Sequence, residues 1–387
     1  MSTEGELGGG GRTRSATMTD VTPEEIGSAW HAARDVPALR HLDHAACSRQ
    51  SLAVQEAVAQ HVRHEAETGG YIAQAAAEPV LQAGRTALAA LMGMTGPDDV
   101  AFTESAQQSL RILLEVCPLP RGAKVLNVKA DYGPAVAMLR GAGYDVESVE
   151  GDDLPDAIRS RPPALVHVTH LASHRGAVAP MPDIIAAANE VGVPLWIDAA
   201  QSLGHVEVPA GAAVVYGTSR KWLAGPRGVG FVAVHPAWAN RLQPRVTYPY
   251  PLPAVQDALE SQEAHVAGRV GLCVAVGELA ALGPANVMAA LADAGRRTRE
   301  ALDGVAGWSV AVPGEHPSAI VSLRAPGGVD IKTIRARLLH EHAILTTVAG
   351  PDRAPADGAE TYLRVSPHVD VTDDDLDALA KALIVLT

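Results

Sequence analysis

The stretch VVYGTSRKWLAGPRGVGF, residues 214 to 231, runs an apolar segment into a small polar turn, offers one lysine, Lys221, and returns through glycines. Earlier in the chain, WIDAAQ sets Asp198 and then Gln201 at the end of another apolar run. A lysine amine can form an imine with a carbonyl compound, and a carboxylate can keep a ring nitrogen protonated. A lysine and an aspartate on adjacent strand ends therefore predict one flat ligand, a pyridine cofactor held as an imine on Lys221 with Asp198 at its ring nitrogen. In FTESAQQSL the apolar run stops and a helix begins, so Ser105, Ala106 and Gln107 offer backbone N–H groups to a phosphate. Thr218 and Arg220, beside the lysine, add hydroxyl and guanidinium donors.

Each feature has a plainer reading. A lone lysine after a strand is usually solvated, an aspartate at a strand-to-helix turn is often an N-cap, and GPRGVG can serve only as a turn. What favours the chemistry is their joint presence in one chain order.

The elements that must position these residues are short β-branched runs alternating with alanine-rich helical stretches. DVAFT (99–103), AKVLNV (123–128), PALVHVTHL (163–171), VPLWIDAA (193–200) and AAVVYGTS (212–219) read as strands, with SAQQSLRILLEVC and GPAVAMLRGAG as helices. That alternation predicts an α/β fold with a mainly parallel sheet flanked by helices, whose ligand sits at the carboxyl ends of the strands. After about residue 285 the rhythm changes to a long helix, WSVAV, SAIVSLR, a helix from about Asp330, YLRVSP and a closing helix, DDDLDALAKALIVLT. The expected division is a flexible arm (1–20), a large cofactor domain (21–284) whose N-terminal segment also serves the small domain, and a smaller C-terminal α+β domain (285–387). TYPYPLPAV (247–255), with its prolines, reads as an irregular loop.

Composition narrows the partners. The 387 residues are 47% hydrophobic and carry a net charge of -13 with no basic block, which argues against a nucleic acid or an anionic membrane surface. Three scattered cysteines, Cys47, Cys117 and Cys273, fit buried thiols in a reducing cytoplasm and match no metal spacing.

HLDHAACS, FTESAQQSL, THLASHRGAVAP, WIDAAQSLGH, GTSRKWLAGPRGVGF and YLRVSPHVD resemble successive motifs of the class V aminotransferase family, fold type I enzymes dependent on pyridoxal 5'-phosphate, over about residues 38 to 387. The resemblance implies that Lys221 carries the cofactor, Asp198 faces its pyridine nitrogen and Gln201 its phenolic oxygen. Ser105, Ala106, Gln107, Thr218 and Arg220 would then hold the phosphate. Tyr132 falls where the family stacks a ring on the cofactor, Ser173 where many members have asparagine, and Arg364 where an arginine takes the substrate carboxylate. It also implies a homodimer.

Two departures matter. LTTVAGPDRAPADGAETYLR lacks the nucleophilic cysteine that desulfurases of the family carry there, so persulfide chemistry on that loop is disfavoured. QEAHVAGRVGL lacks the threonine that in relatives reaches the partner's phosphate, leaving Thr247 as a substitute. HEAETGGYIA, SHRGAV, SRKWLAGPRG and EAHVAGRVGL most resemble the family's subgroup of ergothioneine biosynthesis, the hercynylcysteine sulfoxide lyases. That resemblance implies β-elimination of a sulfenate from an amino-acid sulfoxide, giving pyruvate and ammonia, with Tyr132 as an acid toward the leaving group. The alternatives are an aminotransferase or an amino-acid racemase or epimerase. A trimethylammonium group on the substrate would invite an aromatic wall, for which Tyr71, Tyr248, Tyr250 and His44 are candidates.

Overall fold

The structure is a computed structural model, and it describes residues 21–243, 252–261 and 263–387. The strands in chain order are β1 (Arg40–His41), β2 (Val100–Thr103), β3 (Lys124–Val128), β4 (Asp145–Val149), β5 (Leu165–Thr169), β6 (Leu195–Asp198), β7 (Val214–Thr218) and β8 (Gly230–Val234). They are followed by β9 (Ser309–Val310), β10 (Val321–Arg324), β11 (Ile344–Leu345), β12 (Thr347–Ala349) and β13 (Tyr362–Val365).

Seven strands form the central sheet in the order β2-β8-β7-β6-β5-β3-β4. All adjacent pairs are parallel except those made by β8, which runs antiparallel to β7 and β2. The cause is the connection: β7 returns to β8 through a loop, residues 219–229, that contains no crossover helix, and a parallel return would need such a crossover across the sheet. β3 leads outward to β4, whereas β5 adds on the other side of β3, so winding reverses between β3 and β5. Helices on the two sides diverge there and leave a crevice at the strand ends.

β5, β6 and β7 are buried along their whole length. Helices cover both faces, which is why these strands read as continuous apolar runs. Alternate residues feed two apolar clusters, Val166, Val168, Ile197 and Val215 on one face, Leu165, Trp196, Val214 and Tyr216 on the other. β4 was not legible as a strand: it is the edge, its side chains alternate between exposed and half-buried, and Asp145 and Glu147 break its apolar pattern. Nor was β8, whose first residue belongs to the glycine-rich return. Of TYPYPLPAV, residues 247–251 lie outside the described residues, and from Ala254 the chain is helical (Ala254–Leu259).

A second sheet, β12-β13-β10-β9, is antiparallel throughout. Helices Ile331–His342 and Asp373–Leu386 share with it a separate apolar cluster containing Trp308, Leu323, Leu338, Leu363 and Leu379. Leu42 from the N-terminal segment joins that cluster, β1 pairs with β11, and Asp43 bridges to Ser366. Helices Val266–Leu282 and Pro284–Leu302 meet at Gly283 (φ 81°), where we propose to divide the chain into its larger and smaller parts. Among the described residues no single helix is long and apolar enough to cross a membrane.

One glycine links the sheet to the site. A Cβ on Gly230 would stand 2.6 to 2.8 Å from backbone atoms of Ser105, so only glycine lets β8 meet the start of helix Ala106–Val116. Replacing it should force backbone movement and cost about 1–3 kcal/mol. The prediction is that Gly230→Ala lowers unfolding stability by that amount in chemical denaturation and weakens cofactor retention in the same variant.

Candidate active site

The carboxyl ends of β3, β5, β6 and β7 open into a cavity of about 300 Å³. The topological reversal explains its position, and the sequence explains its chemistry. Asp198 is the last residue of β6, and Lys221 lies in the turn that follows β7, the neighbouring strand. Both line the cavity.

Asp198 is buried, and one carboxylate oxygen accepts the Ala200 N–H at 2.9 Å. The plainer reading of this residue as a turn cap is thus partly realised, and the other oxygen is left over. Burial raises its pKa, against the opposing pull of Lys221 and the Ala200 N–H. Lys221 keeps some surface open to the cavity, but enclosure pushes its ammonium down to about 7. Asp198 works against that fall, while the charges of Arg220, Arg364 and Arg353 add to it. Near neutral pH a large share of this lysine is therefore an unprotonated amine.

The wall opposite the lysine is a helix start. Ser105 caps helix Ala106–Val116 by accepting the Gln108 N–H at 3.1 Å, so the N–H groups of Ala106 and Gln107 have no acceptor within the helix. These residues line the cavity with Thr218 and Arg220, and together they make a site for an anion. Thr218 points its hydroxyl toward the Val229 carbonyl at a long 3.4 Å. The Arg220 guanidinium donates to the Ala46 carbonyl, and its own carbonyl accepts the Ser48 N–H at 2.8 Å. The lysine turn is thereby tied to the N-terminal HLDHAACS segment.

Gln201 makes the same connection from β6. Its amide donates to the Ala45 carbonyl at 2.9 Å, and its carbonyl accepts the Trp222 Nε1–H at 2.8 Å. One amide hydrogen remains to face a ligand. Tyr132 precedes helix Gly133–Gly141, and its backbone N–H donates to Thr169 Oγ1 at 2.9 Å, which holds its ring at the cavity wall.

Arg364 is fully buried on β13 and crosses between the two sheets' domains. It donates to the Ser173 carbonyl at 2.8 Å and to Asp43 at 3.1 Å. Burial lowers its pKa to about 10 against the pull of Asp43, so it stays charged at neutral pH. Its Nε and the Ser173 hydroxyl are both buried without partners, and both residues line the cavity. Orphaned polar groups of this kind are costly unless a ligand completes them. The ion pair with Asp43 therefore leaves one N–H of this arginine open toward the cavity.

Two expected residues do not line the cavity. His44 is buried with Nδ1 3.0 Å from Ser48 Oγ, packed against His41 and His368. Tyr71 is 84% exposed near the start of helix Gly70–Leu91. Residue type suggested an aromatic wall for both, but strand and helix geometry turn each elsewhere. Thr247, Tyr248 and Tyr250 lie outside the described residues. Cys47 also lies off the cavity wall.

The structure adds residues that sequence reasoning missed. A wholly buried chain runs beneath the site, with Asp131 Oδ2 2.8 Å from His167 Nδ1 and His167 Nε2 2.7 Å from the Tyr216 hydroxyl. Asp131 also accepts from Asn127 Nδ2 at 2.9 Å and from the Thr169 N–H at 2.5 Å, which satisfies a carboxylate that burial would otherwise penalise. Tyr216, the register partner of Asp198, brings this chain to the cavity. The available signal was a lone histidine in the apolar run LVHVT. Arg353, from the loop between β12 and β13, is the other addition.

Comparison with known proteins agrees with this architecture. The family model described as aminotransferase class-V matches residues 40–379. A probable hercynylcysteine sulfoxide lyase of Mycobacterium tuberculosis is 45% identical over 375 residues, 94% of each chain. Among solved structures, the apo cysteine desulfurase of Thermococcus onnurineus superposes with a TM-score of 0.79 at 20% identity, covering 96% of this chain and 99% of its own. A cystine carbon–sulfur lyase in complex with its product cysteine persulfide gives 0.80 at 17% identity, covering 90% and 97%. The fold is that of fold type I enzymes, and the chain belongs to the class-V aminotransferase family.

Proposed function

We propose that this chain is a pyridoxal 5'-phosphate-dependent carbon–sulfur β-lyase that cleaves hercynylcysteine sulfoxide. The products would be the imidazole sulfenic acid that a thiol reductant converts to ergothioneine, together with pyruvate and ammonia. The observation that carries the reading is the enclosure of Lys221 and Asp198 at adjacent strand ends, with an anion-binding helix start on one side and Arg364 on the other. The 45% identical relative supports the substrate.

Pyridoxal phosphate, when bound, supplies an electron sink for the pair released as the α-proton departs. The donors present fit that group: an unprotonated lysine amine, a buried carboxylate, and free N–H groups at a helix N-terminus. Ala106, Gln107, Thr218 and Arg220 would hold its phosphate, Asp198 its ring nitrogen and Gln201 its phenolic oxygen. Arg364 Nε would take the substrate's α-carboxylate, which supplies the partner that this buried N–H lacks. The Lys221 amine, when free and neutral beside a bound substrate, would take the α-proton. The Cβ–S bond then breaks with its electrons on sulfur, and Tyr132 gives a proton to the departing group. The carbon fragment leaves as 2-aminoacrylate and hydrolyses. No thiolate is required, consistent with a loop between β12 and β13 that offers Arg353 and no cysteine.

The exposed apolar side chains Val62, Tyr71 and Ile72 on neighbouring helices suit cover by a second copy, so a homodimer belongs to the same reading, as does a cytoplasmic location.

Two outcomes test this reading. Cofactor attachment needs the neutral amine, and a pKa lowered to about 7 means that this form makes up half of the lysine near pH 7 and is nearly complete about one pH unit above. The rate at which cofactor-free protein takes up pyridoxal phosphate should therefore climb from pH 5.5, pass its midpoint near pH 7 and level off about one pH unit above; a rate still climbing steeply at pH 9 would indicate an ordinary lysine. With hercynylcysteine sulfoxide and a mild reductant, the holoenzyme should release pyruvate and ergothioneine in equal amounts, and Tyr132→Phe should lower kcat about 100-fold. Cofactor-loaded protein that yields a pyridoxamine form and no pyruvate would point to transamination instead.

A further inference from the structure

The loop joining β12 to β13 reaches the cavity with a single side chain, Arg353, which ends the short turn Pro351–Arg353. The loop is anchored on two sides. Asp357 accepts from His174 Nε2 at 2.6 Å and from the Arg175 guanidinium at 3.1 Å, and Ala354 is buried. On the other side, a Cβ on Gly133 would stand 2.3 Å from the Asp352 carbonyl oxygen and 2.8 Å from Pro355, so the loop rests directly on the helix start that follows Tyr132. Arg353 is therefore a placed group at the cavity wall.

The charges around the cavity do not balance. Arg220, Lys221, Arg353 and Arg364 face a single carboxylate, Asp198. Arg364 has Asp43, Arg220 donates to the Ala46 carbonyl, and Lys221 answers to Asp198. Among the described residues, no hydrogen bond or ion pair engages the Arg353 guanidinium. Its charge is felt at both Lys221 and Arg364, the two groups that would bracket the Cα of a bound amino acid. The β-sulfur is two bonds from that carbon and its oxygen three, whereas a carboxylate beyond the imidazole ring would lie several bonds further out.

Resting on the lyase reading above, we propose that Arg353 binds the oxygen on the substrate's β-sulfur and neutralises it as the sulfenate departs. The step balances without an oxidant or a nucleophile: the α-proton goes to Lys221, the Cβ–S pair stays on sulfur, the S–O oxygen carries the negative charge against Arg353 until Tyr132 protonates it to the sulfenic acid, and the carbon skeleton leaves as 2-aminoacrylate. A guanidinium placed where charge develops stabilises the transition state more than the ground state. Arg353 thus selects sulfoxides over thioethers, on the loop where a desulfurase would need its cysteine.

The test uses the full-length holoenzyme, Arg353→Gln and Arg353→Lys, with α-methyl-S-phenylcysteine sulfoxide and the matching thioether. Neither has an α-hydrogen, so binding is read by calorimetry without turnover. Arg353→Gln should weaken sulfoxide binding about 10- to 100-fold, leave thioether binding unchanged, and be partly rescued by Arg353→Lys. Equal losses for both ligands, or no loss for either, would overturn the assignment. Pyruvate release from hercynylcysteine sulfoxide by the unsubstituted enzyme is measured beside it. Its absence would sink the lyase reading, whereas its presence with no sulfoxide-selective loss would sink only the role of Arg353.

Discussion

Enclosing a lysine amine and an aspartate carboxylate together is the constraint from which the rest of the site follows. Burial disfavours both charges, raising the pKa of Asp198 and lowering that of Lys221 to about 7, while their mutual attraction resists both shifts. Keeping the pair in place needs two adjacent parallel strands whose carboxyl ends point the same way, and the pairing of β6 with β7, with Asp198 opposite Tyr216, provides them. The reversal of winding between β3 and β5 opens the space above the strand ends, and the β7-to-β8 loop presents the lysine there.

Around this pair the N-terminal segment acts as a strap. Asp43 binds Arg364, the Ala45 carbonyl takes the Gln201 amide, the Ala46 carbonyl takes Arg220, and the Ser48 N–H reaches the Arg220 carbonyl. One short stretch thereby joins the lysine turn, β6 and β13, which belong to different sheets. The same segment lends β1 and Leu42 to the smaller sheet's side. Movement between the two parts of the chain would act on Gln201, on the lysine turn and on Arg364 together.

Much of this was legible before any coordinates. Apolar runs ending in polar residues located β5, β6 and β7, and the order of Ser105, Asp198 and Lys221 placed three sides of one cavity. Edge and return strands were hidden, because Asp145 and Glu147 interrupt β4 and glycine opens β8. Side-chain direction was the harder limit. Tyr71 and His44 carry suitable chemistry, yet one faces solvent and the other a histidine cluster. His167 needed the sheet order to meet Asp131 and Tyr216, and Arg353 needed a loop fold that no periodicity encodes.

The most direct measurement is chemical. Of the chain's five lysines, Lys124, Lys332 and Lys381 are exposed and Lys129 is ion-paired with Glu150, which leaves Lys221 as the enclosed amine. Borohydride reduction of the pyridoxal phosphate-loaded protein, followed by peptide mass mapping, should find the pyridoxyl label on the peptide containing Lys221 and on no other. A label on any of the other four lysines, or none at all, would contradict the account.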